Sequence, residues 1–468
     1  MTFNSFVFIE FALIFFAGWS LFRSRRQFAY IYLIVASCLF YGYATWWFVP
    51  VLLATGTFDF YIAQFISKFP ERKKPLLILS CVSNLSVLFL FKYIGFSADI
   101  VNSVASRLSL PISLPVLHLI LPIGISFYTF QSLSYIFDVY NGKIEPTKRL
   151  SHFLAIVSLF AHLVAGPIVR VSHILPQIEE LKKPSVGEIW IGLDLVAVGL
   201  FKKMVLADNL APVVDRIYGS NEFTGATAVL ACVAFSFQIY YDFSGYTDIA
   251  RGIARWLGLD FGVNFNHPYA ALGIADFWSR WHISLSLWIR DYIYIPLGGN
   301  RKGEARAHLN LWIAFLLSGL WHGASFTFIL WGGLHAALQS IERLTKWPAR
   351  LTDSGRLGRV ATWVITFAIV SLAWIPFRAV SFGQMMAIVN SLTHFWSGWG
   401  SPDIHSLLIR SSIVVPSLAY EGWVVFGRRR IVTSGNGSVW SHAVRNGILL
   451  ASCVLLAPPS KTFIYFQF

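Results

Sequence analysis

Long stretches without charged side chains constrain this chain more than any other feature. Between Leu311 and Ser340 there is no Asp, Glu, Lys or Arg, and similar apolar stretches recur along the whole sequence. A helix needs about 20 mostly apolar residues to cross a bilayer, and in lipid the backbone must satisfy its own hydrogen bonds, as a helix does. Transmembrane strands would instead alternate in polarity over about 10 residues. The pattern therefore predicts an all-α, polytopic membrane protein.

Twelve apolar stretches are candidate membrane-spanning helices, although some of them are short. We expect about 10–12 spans, with additional re-entrant and interfacial helices. The stretch at 309–342 is too long for one simple span. The candidates lie at about 3–22, 28–48, 51–67, 76–95, 118–140, 151–169, 188–207, 225–241, 309–342, 360–379, 404–426 and 441–458.

Composition and charge exclude several classes of protein. Apolar residues make up 56% of the chain and charged residues 13%, about half the ~25% charge of an ordinary soluble domain. These values exclude a soluble enzyme with a polar shell, a disordered chain and a coiled coil. The net charge of +14 is spread thinly between apolar stretches, which is typical of cytoplasmic loops rather than of a nucleic-acid-binding surface. The four cysteines lie far apart, so we expect neither a disulfide framework nor a metal site.

The loops alternate in charge, which predicts an orientation. Three loops, near 23–26, 68–74 and 143–149, hold ten Lys and Arg, whereas the loops at 43–50 and 92–117 hold only two. Basic loops stay in the cytoplasm. The N-terminus is therefore expected on the outer side of the membrane.

The least hydrophobic region runs from about 242 to 308 and is where we look for function. Its first part carries Asp242, Ser244 and Asp248 among several glycines. Irregular backbone at membrane depth is tolerated only inside protein or along a cavity. We consider both a cytoplasmic loop with paired charges and a re-entrant segment lining a substrate path.

An aromatic stripe follows, at the 3–4 spacing of one helical face. On a continuous helix it predicts an interfacial segment, aromatic on one side and polar on the other. His282 falls at the border of the stripe, either as an interfacial histidine or as a side chain directed into a site. The stripe consists of Trp278, Trp281, Leu285, Trp288 and Tyr292.

His322 lies near the middle of the charge-free stretch. An ionisable side chain at membrane depth is costly and suggests a functional site. The alternative is a role in helix packing, because Gly319 and Gly323 form a GxxxG pair and His322 can form hydrogen bonds between helices. His335, about 220° further round a continuous helix, is interpreted as structural.

The chemistry open to these histidines is limited by what the sequence lacks. There is no GxSxG elbow, no phosphate-binding glycine loop and no HExxH. General base catalysis remains, in which an imidazole removes a proton from an attacking alcohol or thiol. Burial lowers the pKa of a histidine and keeps it neutral, as a base requires.

Six strings of residues together carry a resemblance to a known family. They are LPIGISFYTFQSLSYIFDVY (121–140), HLVAGPIVR (162–170), YYDFSGYTDIARGI (240–253), NFNHPY (264–269), DFWSRWHISLSLWIRDYIYIPLGGNR (276–301) and LLSGLWHGASFTFILWG (316–332). The chain with these strings resembles the membrane-bound O-acyltransferase (MBOAT) family, and within it the bacterial branch that O-acetylates exopolysaccharides such as alginate and cellulose. RWHxS and WHG at this separation are the most specific of the matching motifs.

The resemblance implies one integral membrane domain, 1–468, that forms a ring of helices around a central tunnel. It comprises N-terminal helices (1–117), a catalytic core (118–380) and C-terminal helices (381–468). His322 matches the family's key intramembrane histidine, and His282 matches its second polar position. The implied donor is acetyl-coenzyme A, a substrate that enters from the cytoplasm; no bound cofactor is expected. A periplasmic partner of the SGNH type, within a polysaccharide synthesis and secretion complex in the inner membrane, would receive the acetyl group.

Further residues are candidates for lining the tunnel, each with a plainer alternative. The tryptophans either exclude water from a thioester or pack the core, and the charged groups either contact the donor or pair with one another. The candidates are Trp321, Trp281, Trp278, Arg280, Asp242, Tyr241, Ser244 and Asn266.

Two rival functions stay open. One is a transporter of the acetyl donor that performs no chemistry of its own. The other is a member of the same family with a different acceptor, such as teichoic acid or protein. The sequence does not decide between alginate and cellulose as the polymer.

Overall fold

Helices form all of the regular structure in the part of the chain described by this computed structural model, which comprises residues 1–117, 119–164, 166–220, 222–427, 439–459 and 463. No strand occurs in these ranges. The all-α prediction is confirmed.

The chain divides into two compact units. The first contains Met1–Gly192 and Ala250–Gly262, and the second contains Leu193–Ile249 and Val263–Phe468. Two helices, Val186–Leu200 and Gly225–Leu257, contribute residues to both units. The first ten helices are α1 Phe6–Phe22, α2 Arg26–Thr45, α3 Phe48–Lys68, α4 Lys73–Lys92, α5 Ile94–Arg107, α6 Ile125–Tyr140, α7 Leu150–Val157, α8 Phe160–Leu163, α9 Val171–Glu180 and α10 Val186–Leu200.

The remaining helices include all of those that carry the candidate site. They are α11 Asp208–Gly219, α12 Gly225–Leu257, α13 Ile274–Arg280, α14 Ile283–Ile289, α15 Glu304–His322, α16 Phe326–Thr345, α17 Trp347–Thr352, α18 Arg356–Ala373, α19 Ile375–Arg378, α20 Phe382–Thr393, α21 Pro402–Ser411, α22 Val415–Gly427 and α23 Val439–Leu456. Short 3-10 turns occur at Pro70–Arg72, Pro268–Ala270 and Ser412–Val414, and π-helical segments at Phe201–Ala207 and Arg290–Tyr294.

Five helical segments in the described ranges are long and apolar enough to cross a membrane, and α1 is a shorter apolar helix. These segments are Arg26–Thr45, Phe48–Lys68, Pro70–Lys92, Gly225–Leu257 and Arg356–Arg378. Fewer unbroken helices of this kind are present than the 10–12 spans we expected. One reason is that expected spans are interrupted: 151–169 contains α7 and α8, and 309–342 is divided between α15 and α16.

The polar stretch after Tyr241 is not the loop or re-entrant segment that we considered. It continues α12 as regular helix to Leu257. The glycines allow close helix packing here, since a Cβ on Gly245 would lie 2.7 Å from the carbonyl oxygen of Gly199. The charges are paired as well: Lys202 Nζ lies 2.7 Å from the Asp248 carboxylate.

A buried ion cluster holds Asp242, which we had considered as a tunnel-lining residue. Lys203, in the π-helical segment, places its Nζ 2.7 Å from Asp242 and 2.8 Å from Asp208. All three side chains are only 3–4% exposed. Burying an unpaired charge is very costly, so this pairing accounts for the charges at these positions.

Candidate active site

A sharp turn at His282 replaces the single aromatic helix that the sequence predicted. Helix α13 ends at Arg280, Trp281 is extended, and His282 takes a left-handed conformation with φ 43° and ψ 54° before α14 begins. A positive φ is uncommon for residues other than glycine. The residues of the stripe are buried. The prediction of one interfacial helix was therefore wrong.

Backbone hydrogen bonds from an adjacent loop stabilise this turn. The N–H of Ile283 donates to the carbonyl of Asn264 at 2.9 Å, and the N–H of Asn266 donates to the carbonyl of Arg280 at 2.9 Å. These bonds satisfy groups that a continuous helix would have satisfied internally. The loop thus supports the chain on both sides of His282.

The Asn264 side chain fixes the ring of His282. Its Oδ1 accepts the Ser284 backbone N–H at 3.1 Å and the Ser284 hydroxyl at 2.8 Å. A backbone N–H can only donate, so the Asn264 atom facing it is the amide oxygen. The same oxygen lies 3.2 Å from His282 Nδ1. Since an amide oxygen can only accept, the proton of His282 is on Nδ1.

The other ring nitrogen of His282 is consequently available as a base. His282 is 1% exposed, and its Nε2 is buried with no hydrogen-bond partner among the described residues. His282 lies between two short helices, outside the five candidate spans, and burial lowers its pKa to about 3. The ring is therefore neutral at physiological pH, with a lone pair on Nε2.

His322 ends α15, with Gly323 as the C-terminal cap. Its ring packs edge-on against Trp321, Trp331 and Phe377, at centroid distances of 4.9, 5.1 and 5.2 Å. The Trp321 ring also lies 6.3 Å from the His282 ring. The two predicted histidines therefore contact the same tryptophan, in an environment formed by aromatic rings.

The chain reverses direction just after His322, which overturns our placement of His335. We had assumed one continuous helix, but His335 lies on α16, the second helix of a hairpin. Its Nδ1 accepts the Trp278 indole N–H at 3.2 Å. The hairpin packs closely at Gly319, where a Cβ would overlap the Phe328 carbonyl. Gly323 takes no part in a GxxxG helix face, because the helix has ended.

The other predicted site residues divide between core and surface. Four of them, Tyr241, Ser244, Trp281 and Trp321, are buried in unit 2. The Trp281 ring stacks on Phe277 and also packs against Phe265 and Trp374. Arg280 binds Asp276, with Nε 2.7 Å from the carboxylate. Asn266 is exposed and is not part of the histidine cluster.

Two residues were missed by the sequence reasoning. Asn264, two positions before the asparagine that we selected, supplies the oxygen that orients His282. Lys203 supplies the charge that balances Asp242. The sequence contains a signal for each of them. Asn264 belongs to the NFNHPY string, and Lys203 is a charged residue within a predicted membrane span.

Comparison with known proteins decides the family. The sequence model of the membrane-bound O-acyltransferase family matches residues 147–381, which include both histidines. The chain belongs to the membrane-bound O-acyltransferase family. It is a multi-pass membrane protein, as that family is.

Several named relatives of this membrane-bound O-acyltransferase are acetyltransferases, whereas others, including one in Bacillus subtilis, are named "Teichoic acid D-alanyltransferase". The "Probable alginate O-acetylase" of Pseudomonas aeruginosa is 39% identical over 436 residues, 92% of this chain and 82% of that protein. The protein of the same name in Azotobacter vinelandii is 36% identical over 437 residues, 92% of this chain and 85% of that protein. The "Peptidoglycan O-acetyltransferase" of Helicobacter pylori is 37% identical over 393 residues, 77% and 73% of the two chains. The chain is an O-acetyltransferase.

Proposed function

We propose that this O-acetyltransferase takes an acetyl group from acetyl-coenzyme A on the cytoplasmic side and passes it across the inner membrane for O-acetylation of an exopolysaccharide, alginate or cellulose. The observation that carries the proposal is the neutral His282, whose Nδ1 is bound to Asn264 and whose Nε2 is available, beside the Trp321 ring that also contacts His322. The names of the alginate O-acetylase relatives support alginate as the polymer; cellulose rests on the resemblance of the sequence motifs alone.

The proposed chemistry is acyl transfer with histidine as the general base. A hydroxyl of the acceptor attacks the thioester carbonyl as an imidazole takes its proton. The C–S bond then breaks, and the imidazolium returns the proton to the departing thiolate. The products are the acetate ester and free coenzyme A, so atoms and charge balance. The aromatic environment excludes water and limits hydrolysis of the thioester.

His322 is the proposed base, and His282 either shares this role or positions the acceptor. Both are consistent with the structure, since each ring packs against Trp321. The acceptor hydroxyl is proposed to belong to a periplasmic SGNH-type partner, which completes transfer to the polymer within a polysaccharide secretion complex. The outward N-terminus, expected from loop charge, is part of the same proposal.

Reconstituted transfer tests the proposed function. Purified protein in liposomes, given acetyl-labelled acetyl-coenzyme A on one side and the partner with alginate or cellulose on the other, is expected to place label on the polymer as alkali-labile ester. Label that crosses without any ester forming would contradict the proposal and favour a transporter. Peptidoglycan, offered in parallel, tests the other acceptor suggested by a relative's name.

Replacing Asn264 tests whether it positions His282. Asn264→Leu removes the acceptor for Nδ1–H, so acetyl transfer is expected to fall about 10- to 100-fold, by analogy with residues that orient metal-binding histidines. Asn264→Asp keeps an acceptor but adds a carboxylate, which raises the histidine pKa. If His282 shares the role of base it must be neutral, so the low-pH limb of the activity profile should move to higher pH; an unshifted limb together with reduced transfer would assign His282 to positioning alone.

A matched substitution separates positioning from folding. Asn266→Leu changes the exposed asparagine two residues away and is expected to leave transfer and the pH profile unchanged. Equal losses for the two leucine variants, or an Asn264→Asp profile identical to that of the native protein, would show that Asn264 does not orient a base.

A further inference from the structure

A cavity of about 690 Å³ opens within unit 2 beside the helices that carry the two histidines. Its inner wall is formed by buried side chains of α13, α14 and α15: Trp278, Leu285, Ala314 and Ser318. Its volume is within the range of about 300–1,000 Å³ that is usual for ligand pockets. A mostly apolar lining of this size suits a hydrocarbon chain rather than a polar metabolite.

The mouth of this cavity is basic. Arg343 and Lys346, at the end of α16, line it and are exposed, whereas Arg290, which also lines it, is paired with Asp291 at 2.6 Å. The acidic residue on the same lining, Glu342, is already engaged, because its carboxylate accepts the backbone N–H groups of Ile274 and Ala275. The mouth therefore offers positive charge to a ligand.

The basic rim is held in place by neighbouring side chains. Asn300 Oδ1 accepts both the Tyr294 hydroxyl, at 2.6 Å, and the Arg343 guanidinium, at 3.1 Å. All three residues line the cavity. An arginine fixed in this way loses less side-chain entropy on binding a phosphate than a freely rotating one.

We infer that this cavity binds an anionic phospholipid, with one acyl chain against the Trp278 and Leu285 wall and the phosphate headgroup against Arg343 and Lys346. Basic pockets between membrane helices bind anionic headgroups, and the combination of an apolar interior with a cationic mouth matches that ligand at both ends. Coenzyme A shares the phosphates, but the amides of its pantetheine arm would need several hydrogen-bond partners, and the mostly apolar interior offers few of them, such as Ser286, Ser318 and Gln339.

Lipid retention tests the inference without requiring acetyl transfer, so it can fail independently of the proposed function. The native protein is reconstituted in nanodiscs of equal phosphatidylglycerol and phosphatidylcholine and then extracted into mild detergent, and its retained lipid is measured by native mass spectrometry. We expect about one retained phosphatidylglycerol per chain and about 30-fold enrichment over phosphatidylcholine, because about 1 kcal/mol for each of two basic residues near a headgroup totals about 2 kcal/mol. Equal retention of the two lipids would overturn the inference.

Variants locate the lipid in this cavity. Arg343→Gln combined with Lys346→Gln should abolish the enrichment, whereas Arg356→Gln, an exposed arginine outside the cavity lining, should preserve it. Ala314→Phe fills the interior and should reduce retention of both lipids. If the double variant still enriches phosphatidylglycerol, the lipid lies elsewhere and the inference is wrong. Displacement of the lipid from the native protein by added acetyl-coenzyme A would also overturn it, because the cavity would then belong to the donor.

Discussion

His322→Gln is expected to reduce acetyl transfer by about 10²- to 10⁴-fold, the usual contribution of a general base. Glutamine occupies a similar volume at the end of α15 and can still form hydrogen bonds, but it cannot accept a proton near neutral pH. The ring contacts of His322 with Trp331 and Phe377 make a modest packing loss unavoidable, so protein abundance in membranes must be measured together with transfer. The assay is the rate of ester formation on the polymer, normalised to folded protein.

The matched control for this substitution is His335→Gln. His335 is fully buried within the same aromatic cluster, and its ring lies 4.9 Å from the Trp331 ring, nearly the distance found for His322. Its Nδ1 accepts the Trp278 indole N–H, a bond that a glutamine amide oxygen can replace. We expect His335→Gln to retain transfer within several-fold. Similar losses in both variants, or full transfer by His322→Gln, would refute a base at His322.

Much of the fold could be predicted because the constraint is local. Apolar stretches of sufficient length predict membrane helices whatever their neighbours, and the starts and ends of α2, α3 and α4 lie within a few residues of those expected. His322 was found for the same reason, since an ionisable side chain in a charge-free stretch is unusual. Its position at a helix end was not predicted, because neither Gly319 nor Gly323 alone shows where a helix stops.

The turn at His282 depends instead on residues distant in sequence. The 3–4 spacing from Trp278 to Tyr292 is genuinely helical, and helical spacing alone predicts one helix. The helix is interrupted by Asn264, which lies 18 positions before His282. The backbone and side chain of Asn264 form hydrogen bonds with Ile283 and Ser284. Tertiary hydrogen bonds of this kind override local periodicity. The feature that gives His282 its available nitrogen is therefore the one that the sequence reasoning could not supply.

The charged residues that we considered for the site form structural ion pairs instead, and the surroundings of the candidate catalytic histidines are uncharged. Asp242, Asp248 and Arg280, which we had considered near a substrate path, each bind an oppositely charged neighbour. The two candidate catalytic histidines instead lie among aromatic rings. A base that must remain neutral benefits from such surroundings, since burial without a charged partner disfavours protonation.

Lys203→Met is expected to destabilise the protein by about 3–5 kcal/mol, the usual cost of removing one partner from a buried ion pair. The lysine lies within 2.8 Å of two buried carboxylates, Asp208 and Asp242, and methionine fills a similar space without charge. Unfolding in detergent, followed by tryptophan fluorescence, measures the change. Neutralising the cluster as a whole, with Asp208→Asn and Asp242→Asn added to Lys203→Met, should recover much of the loss, because the buried negative charge is then removed.

The adjacent lysine provides the comparison. Lys202 pairs with Asp248 at the same 2.7 Å distance, but its side chain is 22% exposed against 3% for Lys203. Water can solvate a more exposed pair, so Lys202→Met is expected to cost about 1 kcal/mol or less. Equal destabilisation by the two lysine substitutions would contradict the burial argument. If Lys203→Met left stability intact but abolished transfer, the cluster would have a functional role, and Asp242 would again be a candidate for lining the tunnel.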